Sequence, residues 1–298
     1  MDLRRLTLFL AVAEHGNFTR AAEATYMSQP AVSLAVKELE REVGAELFYR
    51  LGRQVTLTSA GQALLEPARQ VLRDVQVGTA AVAAVAGLAA GRLDLCSLPS
   101  LAAHPAAELI GRFRRSYPAV AVDWAAVADP ADLVGLLRSG RCEVGVTDAS
   151  MIPSDLQHYT LMNQALLVVM PPGAASHSRP ISLSRLRSMP IVTTPVGTSA
   201  RRLVDEAFMA AGASPEVVVV TGQRDALLPL VLAGAGAALL PEPIAQQAAS
   251  QGAVIARPSP AVTRTVVLAH RPGPLAPAAA AFVELSVPEA EKRRQLPE

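Results

Sequence analysis

Between Pro30 and Val43 the apolar residues Val32, Val36, Leu39 and Val43 recur at spacings that place them on one stripe of a helix. Pro30, Ser33, Leu34, Lys37 and Arg41 fall on or beside the opposite face. Ser28 stands in the N-cap position, and Pro30 is tolerated in a first turn, where its missing N–H would be unpaired anyway. Gly44 then ends the helix. A shorter, Ala-rich helix (TRAAEATY) opens at Thr19. Before it Leu3, Leu6, Leu10 and Ala13 follow helical spacing, with Phe9 alongside. After Gly44, Leu47 and Phe48 read as anchors, Arg50 and Arg53 sit around Gly52, and Val55 and Leu57 alternate. This predicts a two-stranded hairpin whose tip carries two arginines and no acid between Arg50 and Thr58.

Thr58 or Ser59 caps a long helix on which Leu64, Ala68, Val71, Val75, Gly78, Val82 and Val85 step alternately by four and three. Such a seam suits pairing with another helix, the other reading being a single helix packed on its own domain. Pro67 is expected to bend it near its start. GLAAGR (87–92) reads as a hinge. From Leu93 strands alternate with helices. LDLCSL, a helix over Ala106–Tyr117, VAVDWAAV, a helix over Pro130–Ser139 and EVGVTD come first. ALLVVMP, PIVTTP, a helix near Ser199–Ala211, VVVVTG, a helix near Asp225–Ala233, GAALLP and TVVLAH come next. That order predicts parallel sheets covered on both faces, in two similar α/β lobes.

Composition changes the picture little. Of the 298 residues, 51% are hydrophobic, ample for a core. Lys plus Arg number 27 against 26 Asp plus Glu, with nine of each in residues 1–90, so any basic footprint for nucleic acid is local. A helix with short, polar and basic residues on its outer face suits a DNA major groove, and arginines at a hairpin tip suit phosphate. An ordinary amphipathic surface helix and a solvated hairpin are the competing readings.

Arg4 and Arg5 before LTLFLAVA imitate a secretory signal with Ala11-Val12-Ala13 as its cleavage site. Cleavage there would remove the first helix, and the chain is read instead as cytoplasmic. No apolar run reaches the ~20 residues of a membrane span, and no membrane partner is expected. Cys96 and Cys142 read as buried thiols, with a peroxide-sensing pair as the alternative. The histidines show no metal spacing, no Ser-His-Asp set can be argued, and AGAGAAL (233–239) joins a helix to a strand rather than cradling phosphate. No cofactor and no enzymatic activity are expected.

The run QPAVSLAVKELEREVGAELFYRLGRQVTLTSAGQALL resembles the DNA-binding end of the LysR-type transcriptional regulators. The match includes Gln29, Pro30, Ser33, Leu39, Gly44, Phe48, Arg50, Arg53, Thr58 and Gly61 in ungapped register. Leu34 departs from the polar or basic residue usual there, and offers a thymine methyl apolar contact without a hydrogen bond. RSGRCEVGVTD and VLAGAGAALLPE resemble the family's effector domain, which has the fold of type 2 periplasmic binding proteins.

The resemblance implies a mixed fold, in which a helix-dominated winged helix-turn-helix (1–58) leads through a linker helix (59–87) and a hinge (88–92) to a two-lobe α/β effector-binding domain (93–298). Lobe one would span about 93–160 and 265–290, and lobe two about 161–264. DNA contact would fall to Thr19, Gln29, Pro30, Ser33, Leu34, Lys37, Arg41, Arg50 and Arg53. The implied partners are double-stranded promoter DNA, a small-molecule effector, a second copy of the chain in a dimer and further a tetramer, and RNA polymerase. The alternative is a secreted or periplasmic solute-binding protein, which has no use for a basic wing. An effector between lobes would sit where strands end and helices begin, because free N–H groups gather there. Ser97, Ser100, Asp129, Thr194, Gly197, Thr198, Ser199 and Gln223 occupy such places, with plain helix capping the competing role for each.

Overall fold

The computed structural model describes residues 2–51, 54–85, 91–175 and 180–287. The chain separates into two compact units, the first formed mainly by residues 1–89 and the second by most of the chain from residue 90 onward. Three helices open the first unit, α1 (Leu3–His15), α2 (Phe18–Ala24) and α3 (Gln29–Val43). Each has a local cause. Asp2 Oδ1 accepts from the Arg4 amide at 3.1 Å, Asn17 Oδ1 accepts from the Thr19 and Arg20 amides, and Ser28 Oγ accepts from the Ala31 amide. Gly16 and Gly44 close α1 and α3 in the left-handed conformation at φ 59° and 72°. The cap of α2 is thus Asn17, ahead of the expected start at Thr19. The helix also ends at Ala24, so Tyr26 lies in the turn and not in the helix.

Leu6, Phe9 and Val12 of α1 meet Val32, Val36 and Leu39 of α3 in one core. Val43, expected on the same stripe, is exposed, because α3 runs past the edge of this small core before Gly44 stops it. Strands β1 (Phe48–Leu51) and β2 (Gln54–Leu57) pair antiparallel, with Phe48 opposite Leu57. The Phe48 ring packs on Phe9 and Phe18 at centroid separations of 5.4 and 5.9 Å, tying the wing to the core. Helix α4 (Ser59–Val85) continues unbroken through Pro67. Thr58 caps it, accepting from the Gly61 amide at 3.0 Å and donating to the Glu46 carbonyl at 2.6 Å. Gly61 is obligatory here, since a Cβ would lie 2.1 Å from the Leu47 carbonyl oxygen. Leu64 and Ala68 pack on the core, whereas Val71, Val75 and Val82 stay exposed. The expected hinge at 87–92 lies largely outside the described residues.

The second unit begins with β3 (Gly91–Ser97), a single helical turn at Pro99–Leu101, and α5 (Ala107–Ser116). Next come β4 (Val120–Ala126), α6 (Pro130–Arg138), β5 (Val144–Asp148) and the long β6 (Gln157–Met170). Beyond them lie β7 (Ile181–Ser182), β8 (Pro190–Thr193), α7 (Ser199–Ala210), β9 (Glu216–Val220), α8 (Leu227–Leu232), β10 (Ala238–Pro241), α9 (Glu242–Ser250) and β11 (Val254–Ala256). β12 (Pro258–Ser259), β13 (Val262–His270) and α10 (Pro277–Ser286) complete it.

The expectation of parallel sheets needs correction. β3 runs parallel to β4 and β5, and β8 to β9, but β13 is antiparallel to both β5 and β6, and β6 is antiparallel to β10 and β11. The reason is topological. β6 and β13 carry the chain from one set of strands to the other and back, so they lie side by side in opposite directions, over nine residues of β13, with a register break between Val266 and Val267. Leu166, Val168 and Met170 enter one core while Leu167 and Val169 enter another, so this strand is covered on both faces. On the other side of the crossing, Phe113 packs edge-on to Phe282 at 5.3 Å.

Candidate functional site

The first site is the outer face of α3. Gln29, Pro30, Lys37 and Arg41 are exposed, Leu34 is 59% exposed, and Ser33 is half-buried between them. The spacing i, i+3, i+4, i+7 makes them one surface. Its charge depends on where the acids of α3 go. Glu38 and Glu42 reach Arg5 of α1 at 2.8 and 3.1 Å, and Glu40 Oε1 accepts from the Leu47 amide at 2.9 Å. Lys37 and Arg41 have no such partner among the described residues. A sequence balanced in charge thus presents a positive stripe, because its acids are turned into the frame. Thr19 is exposed at the start of α2.

Tyr26 was missed by sequence reasoning. It lies between α2 and α3 with φ 54° and is 98% exposed. A large side chain held in a left-handed turn is uncommon, and here it leaves the ring fully exposed in the turn before α3. No local pattern announces it, since TRAAEATY reads as continuous helix. The side chain of Arg50 and the whole of Arg53 lie outside the described residues.

The second site lies where the crossing strands meet the helix starts of the second unit. Ser100 Oγ lies 3.4 Å from Ser199 Oγ, so two residues 99 apart in sequence meet. Arg264 of β13, 4% exposed, joins them. Its Nη1 donates to Ser100 Oγ at 2.9 Å, its Nη2 to the Ser100 carbonyl at 2.8 Å, and its Nε to Gln164 Oε1 at 2.7 Å. Gln164 in turn donates to the His104 carbonyl. Arg202 Nη2 donates to Ser150 Oγ at 2.7 Å, and Ser150 donates to the buried Asp148. Burial pushes the Arg264 guanidinium down to about 10; Asp148 opposes that shift and Arg224 adds to it. Arg224 is lowered too, by burial. Both guanidiniums keep their charge at neutral pH.

A cavity of about 440 Å³ opens beside Ser100 and Arg264. Arg224, Leu203, Leu228, Leu239 and Ile244 also line it. Several expected effector residues are engaged elsewhere and do not line this cavity. Ser97 is fully buried and accepts from Trp124 Nε1 at 2.9 Å. Asp129 is exposed and caps α6 through the Ala131 amide at 2.8 Å. Thr194 and Thr198 lie 2.7 Å apart, with Thr198 capping α7 through the Arg201 amide, and Gln223 is exposed. Gly197 and Ser199 line a second cavity, of about 320 Å³, together with Arg201 and Arg202. Sequence reasoning missed Arg264 and Gln164, which stand beside Thr263 and Thr265 and beside Asn163 at the polar ends of their strands, where no local signal marks them as buried.

The neighbouring Cys142 thiol and then burial push the Cys96 thiol above its ordinary range, the opposite of what a reactive thiolate needs. No described helix is long and apolar enough to cross a membrane.

Two family models match the chain. Residues 3–62 match the family model for the bacterial regulatory helix-turn-helix protein, lysR family, and residues 86–290 match that for the LysR substrate binding domain. The chain is 32% identical to the HTH-type transcriptional regulator XapR of Escherichia coli, over 82% of this chain and 84% of that protein. It is 29% identical to the RuBisCO operon transcriptional regulator of Allochromatium vinosum, over 79% and 78%. Among solved structures, a full-length OxyR variant from Pseudomonas aeruginosa shares the fold with a TM-score of 0.74 at 22% identity, covering 96% of this chain and 93% of that one. Full-length CbnR complexed with its target DNA gives a TM-score of 0.65 at 24% identity, covering 96% and 99%.

Proposed function

Because this chain belongs to the LysR family of transcriptional regulators, with a DNA-binding helix-turn-helix and an effector-binding domain, we propose that it grips promoter DNA with the outer face of α3 and answers to a small molecule bound between two lobes. Gln29, Pro30, Ser33 and Leu34 face the base edges. Lys37, Arg41, Thr19 and the wing residues Arg50 and Arg53 hold phosphate. The observation that carries this is the sorting of charge on α3, with Glu38, Glu40 and Glu42 tied into the frame and Lys37 and Arg41 left outward.

The working division is 1–58 for DNA binding, 59–87 for the linker helix, 88–92 for the hinge and 93–298 for the effector domain. The lobes divide near 160 and 265. The exposed Val71, Val75 and Val82 on α4 form the seam to a second copy. The effector site is the region where Ser100, Ser199 and Arg264 meet. The relatives are regulators and not enzymes, and the chain acts in the cytoplasm as a binding protein without catalysis. A solute-binding role gains nothing from the positive stripe.

Gel-shift titration of the full chain on its own upstream region, at several salt concentrations, tests the reading. Binding should weaken steeply with salt, and Lys37→Ala should lower the log–log slope by about 1. Salt-independent binding, or binding unaffected by changes at Gln29, Pro30 and Lys37 together, would remove α3 from the interface.

A further inference from the structure

We propose that the 440 Å³ cavity takes a small organic anion with an apolar body, its carboxylate received by Arg264 and Arg224 and its hydrocarbon part laid against the leucine-lined wall. The inference rests on the reading of this region as the effector site, and gives that site a ligand class. The cavity lies within the size range of small-molecule sites.

Its chemistry is lopsided. Leu203, Leu228, Leu239 and Ile244 offer only hydrocarbon, so a wholly polar ligand would be stripped of water without compensation. The polar end is as specific. Arg264 is almost fully buried, yet among the described residues its hydrogen bonds run to neutral acceptors, Gln164 and Ser100, and to no carboxylate. Its Nη1 carries two hydrogens and, among the described residues, donates to Ser100 Oγ alone. Arg224 lines the same cavity, and among the described residues its guanidinium has no hydrogen-bond or ion-pair partner.

Arg224 and Arg264 repel one another at a desolvated wall; the buried Asp148 offsets part of this at Arg264, and an anion in the cavity would relieve the rest. Asp225 also lines the cavity, but it is exposed and its charge is screened by solvent. A carboxylate suits the site better than a phosphate. Its two oxygens match the planar forks of two arginines, whereas a phosphate would bring a third oxygen to a wall of leucines.

The anion would also bridge the fold. Arg264 belongs to a crossing strand and holds Ser100, while Arg224 precedes α8, so a carboxylate shared between them ties segments 40 residues apart in sequence. Both arginines fall within 161–264, so the anion acts on the other lobe through Ser100, which Arg264 holds, and it shifts the lobes only to the extent that it prefers one of their arrangements.

The test is calorimetric titration of the full-length protein with octanoate, benzoate and phenylacetate, each beside its uncharged amide. The carboxylates are expected to bind at least about tenfold more tightly than the amides. Arg224→Gln, at a side chain with no partner to lose, should weaken the carboxylates by roughly 10- to 100-fold, as for a hydrogen bond to a charged group, and leave the amides unchanged. Ile244→Trp, which fills the cavity, should remove both. Amides that bind as tightly as carboxylates would overturn the ligand class. Carboxylates that keep their affinity in Arg224→Gln and Ile244→Trp, or none of them binding at millimolar concentration, would overturn the site. A gel shift with the same carboxylates separates this inference from the one beneath it. Arg224-dependent binding that leaves the DNA complex unchanged would sink the effector role while the ligand class stands.

Discussion

The outer face of α3 and the cavity beside Arg264 are both candidate binding surfaces, and they are assembled on different length scales. Helix α3 collects Gln29, Pro30, Ser33, Leu34, Lys37 and Arg41 within fifteen residues, and each is placed by the helical repeat. The cavity collects Ser100, Arg224, Ile244 and Arg264 from four separate elements, and no single period relates them. The helical face tolerates loss of one side chain because the frame behind it, Phe9, Val36, Leu39 and Phe48, is untouched. The crossing strands have no such separation of face from frame. Arg264 reaches the cavity and also pins Gln164 and the Ser100 loop. A binding group here is a structural group as well.

The frame of the first unit should break hardest at Gly61. Gly61→Ala pushes a methyl against the Leu47 carbonyl, where backbone must move, and is expected to cost about 2–4 kcal/mol and abolish DNA binding without altering α3. Thermal denaturation read by circular dichroism checks it; an unchanged melting temperature would mean that the wing is not braced on α4.

In the second unit Gln164→Leu removes the acceptor of a buried guanidinium. The expected loss is roughly 2–3 kcal/mol, with the response to ligand lost at the same time. If stability falls while the ligand response survives intact, face and frame are separable there too and the contrast fails.

Val75→Asp places two like charges across the proposed seam of α4, where the symmetric copy supplies no compensation. Sedimentation at several concentrations should show monomer. A variant that still dimerises would put the interface elsewhere.

Lys37→Ala probes the separation of face from frame from the other side. It should leave the stability within about 0.5 kcal/mol of the parent, as for an exposed position, and reduce only the salt slope. A clear loss of stability would show that the outer face of α3 is not independent of its core.

The smallest expected effect is a pH dependence at His270. Burial lowers its pKa below the ordinary 6.5, so the unfolded chain takes up a proton that the folded one refuses. Stability is therefore unaffected above about pH 6.5 and falls as pH drops below it. His270→Gln should flatten that slope in urea titrations at about pH 7 and about pH 5.5, and an equal slope in both proteins would assign it to other groups.

Features that depend on neighbours three or four residues away, or on alternate residues, were legible in the chain before any fold was known. Ser28 and Gly44 delimit α3 because caps act on the adjoining turn. The apolar spacing on α4 reflects a period of about 3.5, and β3, β5 and β8 are short, nearly continuous apolar runs of the kind that strands buried on both faces need. Ser100 and Ser199 stood out because each begins a helix. Long-range packing supplied the rest. The antiparallel course of β6 and β13 depends on how the chain crosses between two sets of strands, and apolar pattern alone does not carry strand direction. Glu38 and Glu42 of α3 pair with Arg5, 33 and 37 residues away, and Glu40 caps the Leu47 amide, which no count of charge reveals. Arg264 was a surface residue by type until Gln164, 100 residues earlier, and the Ser100 loop closed over it. A charged side chain is buried or exposed according to partners that local sequence does not contain, so the chemistry of the cavity became legible only once the strands were in place.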